Sequence, residues 1–182
     1  NLDNLPADFI ETLKSEYPPE LFDAYVNGDF VNLTSGTIFK YFNRKIHSSN
    51  EVENEHEALT LGQDFNIGGC VTIVYVERWI DGIMKEVAIN EFESYDTRDI
   101  IFNIKQRYPN RIINLYPDAS GDSRKTSASD TDISMLMEAG FNVYVNNTNP
   151  RVKDRINTTN NMFAKNRLLV NTARCPKYAN AL

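Results

Sequence analysis

No apolar run in this 182-residue chain approaches the roughly 20 residues a helix needs to cross a bilayer. Its first residues are polar and include Pro6. The sequence therefore predicts no membrane span, no secretory leader and no membrane partner. Cysteine is scarce, and Cys70 and Cys175 lie far apart, at no metal-ligand spacing. That argues against a disulfide framework and against a zinc site. Cys70, inside a β-rich run, reads as a small buried apolar residue, and the pair suits a reducing cytoplasm. His47 and His56 lack partners at ligand spacing and fall in a polar stretch, so both read as exposed and incidental. No Gly-x-x-x-x-Gly-Lys-Ser/Thr loop occurs, so these residues hold no P-loop nucleotide site. The chain opens on Asn1 where a native start would place Met, which reads as a piece of a longer protein.

Net positive charge is lacking as well. The formal charge is −6, which on its face argues against a polyanionic partner. Its distribution says otherwise. Residues 1–97 hold 6 Lys and Arg against 18 Asp and Glu, a net of −12. Residues 98–182 hold 13 against 7, a net of +6. Such asymmetry is a hint of a half that meets nucleic acid, although surface charge can segregate without that purpose.

Hydrophobic residues make up 41% of the chain, enough for the core of one domain with an appendage. Residues 4–17 read as a helix with Phe9, Ile10 and Leu13 on one face, broken by Pro18-Pro19. A second short helix covers 20–27 and closes at Gly28. We place this helical appendage at 1–35 and the main domain at 36–182. Thr37–Phe42 reads as a strand and 43–57 as an exposed acidic loop. Ala58–Phe65, Cys70–Trp79 and Ile83–Phe92 then form an antiparallel meander, with turns at 66–69 and at Asp81-Gly82. Thr97–Tyr108 has Ile100, Ile101, Ile104 and Tyr108 at helical spacing. A fourth strand at 111–116, a Ser-rich loop at 119–130, a helix ending at Ala139 and a fifth strand at 141–145 follow. A long helix opens at Asn149-Pro150, with Val152, Ile156 and Phe163 inward. Residues 167–171 are a short extended run, and 176–182 begin another helix. The order β-β-β-α-β-α-β-α predicts an α/β fold, a mixed sheet with helices on both faces. A right-handed crossover sets the fourth strand beside and parallel to the first.

Two apolar runs end in an acid: Leu59–Asp64, and Arg111-Ile112-Ile113-Asn114-Leu115-Tyr116-Pro117-Asp118. Either Asp alone reads as a strand-ending turn residue. On adjacent parallel strands, about 4.8 Å apart, the two carboxylates could share one divalent metal, or a pair about 3.5–4 Å apart. Asp64 and Asp118 are therefore the candidate metal ligands and catalytic residues. Gly62 shares the face of Asp64 and leaves room above it. Crowded carboxylates repel one another without a cation, and hard cations such as Mg²⁺ or Mn²⁺ take oxygen ligands. A phosphodiester is a substrate that such a centre suits, because metals activate water and offset the charge of the leaving oxygen. Arg124 and Lys125, with Asp122 in the Ser-rich loop, and Arg151, Lys153 and Arg155 on the long helix could hold a DNA backbone. A solvated loop and an ordinary outer helix face are the plainer readings of the same charges. Asp154 suits the helix dipole better than a metal. Trp79, Tyr75 and Tyr144 read as core or sheet-face residues.

The order of these motifs resembles the nuclease domain of the tailed-bacteriophage large terminase subunit. The residues that carry the likeness are Tyr25-Val26-Asn27-Gly28-Asp29-Phe30 with Gly36-Thr37-Ile38-Phe39, Leu61-Gly62-Gln63-Asp64-Phe65-Asn66, Pro117-Asp118-Ala119-Ser120, and Asn149-Pro150-Arg151-Val152-Lys153-Asp154-Arg155-Ile156. The resemblance implies a ribonuclease H-like fold. It also implies metal-dependent cutting of concatemeric double-stranded viral DNA during genome packaging, in the host bacterial cytoplasm. Asp64 and Asp118 would be the first two ligands of a two-metal Mg²⁺ or Mn²⁺ site. The implied partners are double-stranded DNA, the terminase ATPase domain, the small terminase subunit and the portal. Two departures stand out: the ATPase phosphate loop is absent, and so is the family's third acid on a late helix. Residues beyond Leu182, Asp154 or Asp122 could fill that third place. A junction resolvase or transposase core shares the two-acid layout, and a non-catalytic module that docks on DNA or the portal is a further reading.

Overall fold

The computed structural model describes residues 38–66, 69–119 and 131–182. The predicted helices within 1–35 and the loop cations Arg124 and Lys125 lie outside them. The described elements run α1 (Arg44–His47), β1 (Leu59–Asp64), β2 (Cys70–Ile80), β3 (Ile83–Ser94), α2 (Thr97–Arg107), β4 (Ile113–Pro117), α3 (Asp132–Glu138), β5 (Asn142–Val143), α4 (Val152–Ala164), β6 (Leu168–Val170) and α5 (Pro176–Ala181). Among them no helix is long and apolar enough to cross a membrane.

Six strands form one mixed sheet in the order β5-β4-β1-β2-β3-β6. The meander β1-β2-β3 is antiparallel. Asp81 and Gly82 both take positive φ, 55° and 73°, at the tip of its second hairpin, the backbone that a two-residue type I′ turn requires. β4 pairs parallel to β1, as the crossover rule predicts, with Leu61 opposite Leu115 and Gln63 opposite Pro117. The parallel β3–β6 pair extends the sheet beyond the five strands expected, and the extended run at 167–171 supplies it.

Side-chain alternation gives the sheet two different faces. Leu59 and Leu61, Val74 and Val76, Val87 and Ile89, and Ile113 and Leu115 form one core with Ile100, Ile104 and Tyr108 from α2 and its C-terminus and Leu136 of α3. The opposite face is covered unevenly. Ala88, Phe163, Leu168, Val170, Cys175 and Ala179 bury against Ile73, Tyr75 and Tyr178, beneath α4 and α5. A bulge between Val74 and Tyr75 leaves Ile89 as the extra residue on β3. That explains three consecutive buried residues, Val87, Ala88 and Ile89, shared between both cores.

Four sequence expectations change. Residues 38–41 form a turn instead of a strand. The buried Asn160 of α4 holds that turn, donating to the Ile38 carbonyl and accepting from the Tyr41 amide. Residues 43–57 are not a free loop. Asn43 caps α1, Ser49 N–H donates to the Val170 carbonyl, and Asn171 Nδ2 donates to the Glu51 carbonyl. Three of the four acids of this stretch are paired with arginine: Arg78 reaches Glu57 at 2.7 Å and Glu51 at 3.0 Å, and Arg174 reaches Glu53 at 2.8 Å. Partial burial pushes the Glu57 and Glu53 carboxyls up, but hydrogen bonds from Arg78 and Arg174, backbone N–H donors and the charge of the nearby guanidinium groups, Arg111 included, together outweigh it and hold both below their ordinary value. His47 is only 4% exposed. Its Nδ1 accepts from the Asn43 amide and its Nε2 lies 3.1 Å from the Phe163 carbonyl, so the ring is neutral with its proton on Nε2. His56 is exposed, as expected. Finally, Val152 is 62% exposed, and the buried face of α4 is Asn157, Asn160, Asn161 and Phe163. Asn160 is on that face because its amide binds the irregular backbone at residues 38–41.

Candidate functional site

The uncovered part of the second face lies over β1, β4 and the end of β5. Gly62 on β1 is in register with Tyr116 on β4 and Ile73 on β2. These three share one face, and one step of alternation further along it stand Asp64 and Asp118. The strand ends are pinned. Asp118 N–H donates to the Gln63 carbonyl at 2.8 Å. Gln63 itself is buried on the core side, where the Thr72 hydroxyl donates to its Oε1 and its Nε2 donates to the Asp64 carbonyl at 2.9 Å. A polar residue inside the core thus fixes the backbone from which Asp64 projects.

Both acids line one cavity of about 660 Å³. Its floor includes Gly62, its walls Tyr116, Tyr144, Tyr75 and Tyr178, and its rim Asn146, Asn149, Pro150 and Arg155. Asp64 Oδ2 accepts from Asn66 Nδ2 at 2.8 Å, and Asp118 Oδ1 accepts from Asn149 Nδ2 at 2.7 Å. Tyr116 and Tyr144 stack with centroids 5.0 Å apart and planes at 16°. About half of each is exposed, 50% and 51%. Burial pushes the Tyr75 and Tyr178 phenols up, so they remain neutral walls. A Cβ at position 62 would meet Tyr75 Cε2 at 3.7 Å, an ordinary van der Waals contact.

Of the residues proposed from sequence, the structure brings Asp64 and Asp118 together. Arg151 and Lys153 are exposed at the start of α4 and do not line the cavity, whereas Arg155, one turn on, does. Asp154 is exposed in the first turn of α4 and does not line it either. Among the described residues no third His, Cys, Asp or Glu joins the two acids in a group suited to a metal. Tyr144, expected as core or sheet face, is a half-exposed cavity wall, and Trp79 is 71% exposed near the hairpin tip. Asn146 and the amide role of Asn149 went unseen in the sequence, where the only signal was the Asn149-Pro150 pair opening a helix.

The donors at this site are hard: two carboxylates, with amide groups beside them. Those fit Mg²⁺ or Mn²⁺ better than a soft metal. The described thiols and the His47 ring are buried elsewhere in the fold and contribute nothing here.

An antiparallel meander followed by parallel strands, with acids at the C-terminal ends of adjacent β1 and β4, is a ribonuclease H-like fold. Within that class the chain is similar to large terminases. Residues 1–46 match a family model described as the N-terminal part of the T4-like-virus type of terminase large subunit. The structure is similar to the large terminase of a thermophilic bacteriophage (TM-score 0.65, 15% identity), covering 98% of this chain and 44% of that one. It is similar to the same terminase in complex with ATP-γ-S (TM-score 0.69, 15% identity, 97% and 44% covered). It is also similar to the P22 large terminase nuclease domain (TM-score 0.60, 14% identity), covering 82% of this chain and 79% of that one. This chain spans less than half the length of the thermophilic phage's protein. A sequence comparison with curated proteins gives no match. The resemblance drawn from the motifs is borne out by a stretch matching a large-terminase family and by the fold of a large-terminase nuclease domain.

Proposed function

We propose that residues 36–182 are a divalent-metal-dependent DNA endonuclease domain, cutting concatemeric double-stranded viral DNA during genome packaging, with residues 1–35 as an appendage to it. The observation that carries this reading is the meeting of Asp64 and Asp118 on one open cavity. Mg²⁺ or Mn²⁺ is the cofactor, held by those two carboxylates. When bound, it supplies a Lewis acid that activates water and offsets charge on the leaving oxygen. Any third acidic ligand comes from outside the described residues. Arg155 holds a DNA phosphate at the cavity rim, and Arg151 and Lys153 add positive charge at the exposed start of α4, away from the cavity lining. The stacked Tyr116–Tyr144 pair gives the strand a flat wall, and Gly62 keeps the floor low enough for the backbone to approach. The partners follow from the family likeness: double-stranded DNA, the ATPase domain, the small terminase subunit and the portal.

Plasmid digestion tests this. Supercoiled DNA is expected to be nicked and linearised with Mn²⁺ or Mg²⁺, and left intact with EDTA or by Asp64→Asn and Asp118→Asn. Cutting that survives both substitutions would remove the site assignment. DNA binding that needs neither acid nor metal, without cutting, would instead favour a docking module.

A further inference from the structure

The Asp118 carboxylate is held from outside its own strand. Asn149, 31 residues away, lies in the loop between β5 and α4. Its Nδ2 donates to Asp118 Oδ1 at 2.7 Å, and its Oδ1 accepts from the Ala119 N–H at 2.9 Å. Only one orientation of the amide satisfies both neighbours, because a carboxylate can only accept and an N–H can only donate. The next residue, Pro150, restricts Asn149 to extended backbone. Its side chain therefore leaves the chain in a limited set of directions. Asp64 has an amide partner too, but Asn66 is two residues along the same segment. Of these two amides, Asn149 is the one that joins separate elements.

We propose that Asn149 is a positioning residue for Asp118. It fixes the rotamer of the carboxylate and the direction of the chain at Ala119, so that Asp118 faces the same space as Asp64. This rests on reading the two acids as a metal centre. Outer partners that orient a ligand typically change metal affinity 10–100-fold when removed. Asn149 is exposed, so its hydrogen bonds contribute little to folding, and the two effects separate cleanly.

The test is Mn²⁺ titration of this protein, read by loss of the free-ion electron paramagnetic resonance signal, beside thermal melting in EDTA. Asn149→Ala is expected to weaken Mn²⁺ binding about tenfold and to leave the melting temperature in EDTA within about 2 °C of the parent. Unchanged Mn²⁺ affinity overturns the proposal. So does a variant that loses its fold or melts much lower in EDTA, because the asparagine would then be structural. Asp118→Asn in the same titration separates the two levels. If it abolishes binding while Asn149→Ala does not weaken it, the positioning role fails and the metal centre stands. If Asp118→Asn binds Mn²⁺ as the parent does, or the parent leaves the signal undepleted, the metal centre itself fails.

Discussion

Gly62 separates the needs of the fold from those of the site. Its partners in register are Tyr116 and Ile73, and it forms part of the cavity floor beneath the two acids. A Cβ added there meets Tyr75 Cε2 at 3.7 Å, an ordinary contact, and the backbone needs no left-handed φ. Glycine inside a strand costs roughly 0.5–1 kcal/mol relative to alanine. Gly62→Ala should therefore stabilise the protein by about 0.5 kcal/mol. At 2–4 °C per kcal/mol for a domain of this size, that raises the melting temperature by about 1–2 °C, with cutting retained. Gly62→Leu sends its branched end past Tyr75 into the open cavity, so the packed core is spared and stability changes by less than about 1 kcal/mol. The DNA backbone is displaced, however, and misplacement by about 1 Å costs on the order of 100-fold in rate. Plasmid nicking rates and thermal melts of the two variants give both numbers. A Gly62→Leu protein that cuts at the parent rate would show that the space above position 62 is not where the strand lies. A drop of many degrees for Gly62→Ala would contradict the packing itself.

Arg155→Ala should weaken DNA binding and reduce the slope of log affinity against log salt by about one, as for one lost phosphate contact. Filter binding across a salt series checks this, and an unchanged slope removes Arg155 from the contact set. His47 gives a pH signature. Burial, with Lys85 nearby, holds its imidazole below its ordinary value despite the Phe163 carbonyl. The unfolded chain therefore binds the proton first as pH falls. The stability this contributes is present above pH 6.5, the ordinary histidine value, and is lost as pH falls through the lower folded value. Urea melts of the parent should weaken below that point, and His47→Gln should lose that component of the slope. An identical pH dependence in both proteins would place the linkage elsewhere.

What was legible in the sequence follows the periodicities. Cys70–Trp79 announced β2 by its β-branched and aromatic run, and Asp81-Gly82 announced its turn. The handedness of the crossover was enough to set β4 beside β1, which brought Asp64 and Asp118 to neighbouring positions before any coordinates. The failures share one cause: contacts distant along the chain decided the local structure. Ile38–Phe42 has the composition of a strand, but Asn160, 119 to 122 residues away, holds part of it as a turn. The stretch 43–57 looks like a solvated acidic loop until Arg78 and Arg174 arrive from β2 and the turn before α5. His47 has no sequence partner because both of its partners are backbone groups. Asn149 has no signature as a positioning group, since its amide gains a purpose only where β4 and the α4 loop meet.

The account stands on two carboxylates sharing a divalent cation, and crystals soaked in Mn²⁺ test that most directly. Anomalous difference density is expected within first-coordination distance of both the Asp64 and Asp118 oxygens, roughly 2.1 Å for a small hard cation. It should disappear from that position in Asp118→Asn crystals. Density that avoids the two acids, or that persists unchanged without the Asp118 carboxylate, would contradict the account.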